Sequence, residues 1–167
     1  MRELRSMVCG GNMESRMLKF TCTGIGDSGK FPIENTGRGQ DKSPEFRIYN
    51  LSPEAKTLAI TLEDLTHPVK GFTHWIIWNI PAGSRIGGGI EAGKYVPSLG
   101  NARQGIGYGI HRYAGPKPPR GKTHLYRFCV YALDCEIDLS PCSTKRAFLK
   151  KAAGRILQSG SLTGEFE

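Results

Sequence analysis

Three stretches of the chain carry apolar and aromatic residues in patterns that predict β-strands. Residues 58–62 alternate apolar and smaller side chains, as in a half-buried strand. Residues 74–80 are aromatic and β-branched and lie between Gly71 and Pro81, which favours a central strand. Residues 125–133 form a longer strand pattern with apolar side chains on both faces.

One helix is predicted after these strands. Five apolar residues follow the spacing of a single helix face: Leu149, Ala152, Ala153, Ile156 and Leu157. Ser143 or Thr144 can cap its start, Gly160 lies just beyond its end, and residues 162–166 are predicted to form a closing strand. Because strands dominate and one or two helices follow them, the expected fold class is mainly β, a sandwich with peripheral helices.

Glycine-rich loops are predicted for residues 24–42 and 83–123, and the length of the second indicates either function or disorder. Residues 24–30 match part of a phosphate-binding loop, but Phe31 and Pro32 stand where a hydroxyl residue and a helix are needed. The same stretch contains Gly-Asp-Ser-Gly, as around a protease nucleophile, but no histidine precedes it. A plain glycine turn is the preferred interpretation.

The domain organisation is expected to be simple. Residues 1–16 are polar and non-periodic, which predicts a disordered tail or a misassigned start, with Met13 and Met17 as alternative starts. Residues 17–167 are predicted to form a single domain. No apolar run is long enough for a signal peptide or a membrane span, and five cysteines form no disulfide pattern. A soluble, cytoplasmic protein with free thiols is therefore expected.

The charge is unevenly distributed along the chain. The formal net charge is +8, and residues 92–133 contain seven Lys and Arg residues but no Asp or Glu. A basic protein in general attracts nucleic acid or membranes, whereas a basic segment can frame a small anion site. A solvated loop face explains the pattern equally well, and both interpretations stay open at this point.

Four polar residues at strand ends form a chemically coherent set. His74 lies at the start of one predicted strand and His124 just before another, Asp64 follows a third, and Tyr126 faces the same side as His124. Imidazoles donate to phosphate oxygens, a carboxylate fixes the tautomer of an imidazole, and a phenol adds a donor. No spacing typical of a zinc site is present. An anion site and scattered structural residues both remain possible interpretations.

Four sequence blocks occur in order along the chain. They are Asp64-Leu-Thr-His-Pro68, Phe72-Thr-His-Trp-Ile-Ile-Trp-Asn-Ile-Pro81, Tyr113-Ala-Gly-Pro-Lys-Pro-Pro-Arg-Gly121 and His124-Leu-Tyr126. The ordered set resembles the phosphatidylethanolamine-binding protein family, and its bacterial and archaeal Raf-kinase-inhibitor-like branch in particular. The resemblance runs from about residue 20 to residue 166. It implies a Greek-key β-sandwich with a large sheet, a smaller sheet and peripheral helices.

The resemblance also implies a shallow anion pocket for phosphate-like head groups at one end of the large sheet. The family's pocket positions fall on seven residues: Asp64, Pro68, His74, Gly115, Pro119, His124 and Tyr126. The chain departs from the family blocks at Leu65, Thr66 and His67, at Leu125, where the family usually has arginine, and at Lys117, where it usually has cysteine. We expect an Asp–Arg ion pair of the relatives to be missing here.

The expected function is binding of a phosphate or phosphorylated head group, without catalysis and without a cofactor or metal. Inhibition of a kinase or protease through a protein partner is the alternative, and family analogy alone supports it. A small-ester hydrolase ranks lower because no nucleophile stands beside a histidine, Ser43 and Ser98 being the nearest in sequence. Nucleic-acid binding is not expected, because the basic segment lacks interleaved aromatic residues.

Overall fold

The computed structural model describes residues 13–167, which form two antiparallel sheets packed face to face. The smaller sheet has the order β1 (Phe20–Cys22), β2 (Phe46–Ile48), β5 (Arg85–Ile86). The larger sheet has the order β6 (Tyr95–Val96), β7 (Ala102–Gln104), β4 (Phe72–Pro81), β3 (Thr57–Asp64), β8 (His124–Leu133), β9 (Ile156–Phe166). The α-helices are α1 (Met13–Arg16) and α2 (Lys145–Ala152), and short 3-10 helices span Ile33–Asn35 and Pro97–Leu99. The prediction of a mainly β protein is confirmed.

The main core lies between the two sheets because each contributes one apolar face. Its largest fully buried side chains include Phe46 of the smaller sheet and Trp75 and Phe128 of the larger. A second cluster forms on the outer face of the larger sheet, where Trp78 packs against Phe148 of α2. The larger sheet is therefore covered on both faces.

The prediction of a half-buried strand at residues 58–62 is wrong. Every residue of β3 is buried, because β3 is hydrogen-bonded to β4 on one side and to β8 on the other. Its small residue Ala59 belongs to the outer cluster rather than to a solvated face. Alternation of large and small side chains here reflects two different packing environments.

The predicted helix exists but is shorter than its apolar spacing implies. Thr144 caps α2 by accepting a hydrogen bond from the Ala147 amide, as expected. The helix ends at Ala152, and Gly154 adopts a positive φ of 78°, which reverses the chain. Ile156 and the residue after it instead begin β9, which also contains the predicted closing strand 162–166. Pairing with β8 overrides the local helical pattern.

The long loop region 83–123 is ordered around one buried glutamine. The side chain of Gln104 is fully buried, and its Nε2 donates to the carbonyls of Glu91, Gly93 and His111 at 2.9, 3.1 and 3.2 Å. Its Oε1 accepts a hydrogen bond of 2.8 Å from Trp75 Nε1. The loop backbone is thus tied to the main core through four polar contacts.

A buried ion cluster anchors α2 to the end of β3. Glu63 is 5% exposed and bonds Arg127 on β8 at 3.1 Å and Lys145 at the start of α2. Burial by itself would raise the pKa of Glu63, but hydrogen bonds and charge from Lys145 and Arg127 outweigh it and lower that pKa. The carboxylate therefore stays ionised, and it cross-links three elements on the outer face of the sheet.

This cluster makes stability depend on pH in a defined direction. A carboxylate with a lowered folded-state pKa stabilises the fold above its unfolded value of about 4.3, and the contribution is lost as pH falls through the folded value. We expect Glu63→Gln to lower the free energy of unfolding by about 1.5 kcal/mol at pH 7. Below about pH 4.3 this difference shrinks, which urea titrations at pH 7 and pH 3 can measure.

Glu54 provides the matched control because its side chain is exposed. We expect Glu54→Gln to change the free energy of unfolding by less than about 0.5 kcal/mol at either pH. An equal loss for Glu63→Gln at pH 7 and pH 3 would contradict the assigned ionisation.

The predicted tail falls partly on residues 1–12, which lie outside the described residues, and this prediction is not tested. Residues 13–16 form α1, and the Ser15 carbonyl accepts a hydrogen bond from Gln158 Nε2 at 3.0 Å. Among the described cysteines, all four are free: Cys22 is buried, Cys129 and Cys135 are half-buried and Cys142 is exposed.

Candidate anion-binding site

A cavity of about 420 Å³ opens at the end of the larger sheet where β3 ends and β4 and β8 begin. Its lining combines histidines, lysines and aromatic rings with a single carboxylate: Asp64, Thr66, His67, Pro68, Phe72, His74, Tyr108, Lys117, Pro118, Pro119, Lys122, His124 and Tyr126. The strands that carry His74 and His124 are not direct neighbours, because β3 lies between them and brings Asp64 to the middle.

Asp64 is the central hydrogen-bond acceptor of the site. It is 4% exposed, and its Oδ1 accepts the backbone N–H groups of Thr66 and His67 at 2.9 and 3.0 Å. Its Oδ2 lies 2.7 Å from Nδ1 of His124. Because a carboxylate only accepts, His124 carries its proton on Nδ1, and Nε2 is left for a ligand.

His74 owes its position to an irregularity in the β3–β4 pairing. Leu62 pairs with Trp75 and Glu63 pairs with Thr73, so His74 is the extra residue of a β-bulge. A bulge turns two successive side chains toward the same face, which lets His74 line the cavity beside the buried Trp75. Regular alternation along the strand would have directed the imidazole to the other face.

The His74 imidazole is buried and internally hydrogen-bonded. It is 5% exposed, and its Nδ1 donates to the Ala114 carbonyl at 3.0 Å, because a carbonyl only accepts. Burial lowers the pKa of His74, while the Ala114 carbonyl and the charge of Asp64 act in the opposite direction. The Nδ1 atom of this ring is therefore engaged internally, and Nε2 is the ring atom that can reach a ligand in the cavity.

Tyr126 closes the back of the cavity. The residue is fully buried, and its ring packs edge-on against His74 with centroids 5.4 Å apart. Burial and the neighbouring Asp64 carboxylate raise the pKa of the phenol well above its usual value. The hydroxyl therefore keeps its proton and can donate a hydrogen bond.

Six of the seven sequence-predicted site residues line the cavity, and Gly115 does not. Gly115 lies behind the lining, where a Cβ atom would come within 2.2 Å of the Asn35 carbonyl oxygen. Its amide donates to Asp41 at 2.6 Å. Glycine at this position permits two loops to approach closely, rather than exposing backbone to a ligand.

Sequence reasoning left open whether Lys117 reaches the site, and it did not single out the aromatic wall or Lys122 of the cavity. Phe72 is stacked on His67 with ring centroids 3.8 Å apart, and Tyr108 lies beside His74 at 5.2 Å. Lys117 and Lys122 line the cavity and belong to the acid-free segment, which was the available signal for them. No sequence pattern predicted Tyr108 as a cavity residue, because it reaches the site from the middle of a long loop.

The basic segment 92–133 turns out to be divided between two roles. Arg103, Arg112 and Arg127 pair with acids from outside the segment, at 3.5, 3.3 and 3.1 Å. The two lysines of the cavity have no ion pair among those described for residues 13–167. Part of the excess positive charge therefore faces the cavity.

The departures from the family blocks preserve a direct link between β3 and β8. Thr66 Oγ1 accepts the Leu125 amide at 2.9 Å, and the Leu65 amide donates to the Leu125 carbonyl at 2.8 Å. The side chains of Leu65 and Leu125 are 43% and 46% exposed. A neutral hydrogen bond thus joins the two positions at which the resemblance implies an ion pair in relatives.

Two antiparallel sheets and a histidine-lined cavity at one end of the larger sheet define the architecture of this chain. The sequence family described as phosphatidylethanolamine-binding protein matches residues 10–167, and the chain belongs to that family. A UPF0098 protein of Pyrococcus horikoshii is 36% identical over 163 residues, covering 96% of this chain and 82% of that protein. The predicted family membership is confirmed.

Solved structures agree with this assignment. A crystal structure from Chlamydia trachomatis, described as a phosphatidylethanolamine-binding protein homologue, superposes with a TM-score of 0.77 and 26% identity. The match covers 91% of this chain and 98% of that chain. Two sheets with few helices are therefore shared with a solved relative.

The comparisons leave the cellular compartment open. A relative from Mycobacterium tuberculosis, named as a lipoprotein, is 31% identical over 146 residues and covers 84% of this chain. Within residues 13–167, no helix has the length and apolar character needed to cross a membrane. The expected cytoplasmic location stays a prediction.

Proposed function

We propose that the protein binds inorganic phosphate or a phosphorylated head group in this cavity and does not transform it. The observation that carries the proposal is the matched arrangement of two imidazoles. His74 and His124 both use Nδ1 for an internal acceptor, at 3.0 and 2.7 Å, and both line the same cavity through the rest of the ring. Once protonated, each can donate from Nε2 to an anion.

The electrostatics of the lining support an anionic ligand. Asp64 is the one carboxylate among the described lining residues, and three internal donors occupy its two oxygens. Lys117 and Lys122 add positive charge at the wall. A bound anion stabilises the charged imidazoles, so it raises their pKa values, and binding takes up protons.

The geometry gives little support to hydrolysis. Ser43 Oγ accepts the Ile90 amide and Ser98 Oγ donates to Glu91, and neither serine lines the cavity. Thr66, which does line it, is engaged with the Leu125 amide. Residues 13–167 contain no group of three or more side chains placed to hold a metal ion. Inhibition of a kinase or protease through a protein partner stays a sequence-based prediction.

The proposal predicts that phosphate moves the titration of two histidines. Inorganic phosphate or phosphorylethanolamine at millimolar concentration is expected to perturb the ring resonances of His74 and His124 and to raise both pKa values. Sulfate keeps its charge between pH 5 and 9, so calorimetry with sulfate isolates the protein's own protons. Because the charged imidazoles bind, sulfate affinity is expected to fall as pH rises through their pKa values.

His111 serves as an internal control in the same spectra. Its Nδ1 lies 2.8 Å from the Gln104 carbonyl oxygen, and it does not line the cavity. We expect its resonances to remain unchanged. Unmoved His74 and His124 resonances at millimolar phosphate would refute the site, and shifts of all three rings would indicate non-specific binding.

A further inference from the structure

Residues 34–42, part of the first glycine-rich region, hold the loop that flanks the cavity. The Gly37 amide donates to the Pro116 carbonyl at 2.9 Å, and Arg38 Nη2 donates to the Pro118 carbonyl at 2.6 Å. The hydroxyl of Tyr113 donates to the Asn35 carbonyl at 2.7 Å. This segment contributes no side chain to the cavity lining, yet it fixes the backbone on which the lining depends.

One contact between these loops leads directly to His74. Asp41 Oδ1 accepts the Gly115 amide at 2.6 Å. The carbonyl of the same peptide unit, that of Ala114, accepts the Nδ1 proton of His74 at 3.0 Å. A carboxylate, one peptide group and an imidazole therefore form a continuous hydrogen-bonded chain.

We propose that Asp41 is a positioning residue of the anion site, acting on His74 through the Ala114–Gly115 peptide. Hydrogen bonds in series polarise one another, so the carboxylate at the amide makes the carbonyl a stronger acceptor. A stronger acceptor at Nδ1 holds the ring in one tautomer and makes Nε2 more basic. Asp41 thereby favours the charged His74 that an anion requires, without touching the ligand.

The backbone at Asp41 shows how firmly this carboxylate is placed. Asp41 has a positive φ of 54°, a conformation that non-glycine residues adopt infrequently. Its amide donates to the Thr36 carbonyl at 3.1 Å, and its side chain is 28% exposed. The backbone conformation of Asp41 therefore fixes the position from which its carboxylate accepts the Gly115 amide.

Arg112 opposes the effect of Asp41 on the basicity of His74. Its Nη1 lies 3.3 Å from Asp41 Oδ2 and donates to the Tyr113 carbonyl at 2.9 Å. The positive charge of Arg112 beside the Asp41 carboxylate weakens that carboxylate as an acceptor of the Gly115 amide, so Arg112 reduces the influence of Asp41 on His74. Removing Asp41 and removing Arg112 should therefore move the basicity of His74 in opposite directions.

The other titratable groups around His74 stay the same in both variants. They face the ring from β3, β8 and the cavity loops and comprise Asp64, His67, Tyr108, Lys117, Lys122, His124 and Tyr126. Charge from Asp41 and Asp64 acts on the pKa of His74 in the same direction, against the effect of burial. A change confined to position 41 or 112 therefore leaves these groups in place, and the shift that it produces is due to Asp41, acting through the peptide and directly through its charge.

The test compares His74 in Asp41→Asn and Arg112→Gln by ring ¹⁵N spectroscopy across pH. Asparagine keeps an oxygen that can accept the Gly115 amide, so the loop contact is retained while the charge is removed. We expect the pKa of His74 to fall by about half a unit or more in Asp41→Asn. In Arg112→Gln we expect it to rise, with the Nδ1-protonated tautomer retained.

The pKa of His74 in the ligand-free protein tests the role of Asp41 without requiring that an anion binds. Only the expected change in sulfate affinity rests on the proposed function. If sulfate binds the natural protein, Asp41→Asn should weaken it about threefold or more near neutral pH, following the lost basicity. If sulfate does not bind, the proposed function fails, while the shifts in the free protein still decide the role of Asp41.

Asp138→Asn is the matched control because Asp138 is fully exposed and lies on another loop. It removes the same charge and should leave the pKa of His74 unchanged. Equal His74 pKa values in Asp41→Asn, Arg112→Gln and Asp138→Asn would overturn the proposal, as would shifts of the same sign in the first two. Should Asp41→Asn not fold, an unchanged or lowered His74 pKa in Arg112→Gln would still overturn the proposal.

Discussion

Replacing Asp64 by asparagine is expected to weaken sulfate binding by about 10- to 100-fold, the equivalent of one charge-assisted hydrogen bond of about 1.5 to 3 kcal/mol. The asparagine Oδ1 can still accept the amides of Thr66 and His67. Its NH₂ group then faces Nδ1 of His124, which has to become an acceptor and move its proton to Nε2. The variant therefore keeps an Nε2–H donor on a neutral ring but loses the carboxylate charge that stabilises an imidazolium, and this loss of charge weakens the binding of sulfate.

Spectroscopy distinguishes this effect from unfolding. Ring ¹⁵N shifts of His124 should report protonation at Nε2 in Asp64→Asn and at Nδ1 in the natural protein. The exposed Asp27 supplies a control of equal charge, and Asp27→Asn should bind sulfate normally. A folded Asp64→Asn protein that binds sulfate with unchanged affinity would show that His124 does not hold the anion.

Replacing Gln104 by leucine is expected to lower the free energy of unfolding by about 4 kcal/mol. Leucine is similar in volume but leaves the Trp75 indole N–H and three loop carbonyls without their partner. Each buried polar group left unsatisfied costs about 1 to 3 kcal/mol, and partial access to water offsets some of the sum. Urea titration of the natural and variant proteins at pH 7 measures the difference.

A double-mutant cycle with Trp75→Phe attributes part of this loss to the indole contact. Phenylalanine has no N–H to leave unpaired, so the double variant should lose less than the sum of the single losses. Gln40→Leu is the control, because Gln40 is exposed and should change stability by less than about 0.5 kcal/mol. A loss below about 1 kcal/mol for Gln104→Leu would contradict the organising role assigned to this residue.

The strands could be predicted from the sequence where their patterns were long and strongly apolar. Residues 74–80 and 125–133 fall within β4 and β8, and the cap at Thr144 was predictable from local chemistry. The end of α2 was not, because Ile156 suits a helix face and a strand equally well. Only its pairing with Leu133, 23 residues earlier, decides between them.

The residues of the candidate site could be predicted when they lie near one another in sequence or belong to the family blocks. Asp64, His74, His124 and Tyr126 belong to that group. The bulge that turns His74 inward depends on a register shift between β3 and β4. No residue type in the sequence indicates where such a shift occurs. The contact of Asp41 with Gly115 spans 74 positions, so only the folded chain shows it.

The neighbouring residues Glu63 and Asp64 place an acid on each face of the same strand end. On the outer face Glu63 is held by α2 and β8, and on the inner face Asp64 is held by three donors. The strand end is therefore immobilised from both sides before any ligand arrives. The conformational entropy of assembling the cavity is lost during folding, so a ligand of matching shape meets a preorganised receptor and needs little further ordering.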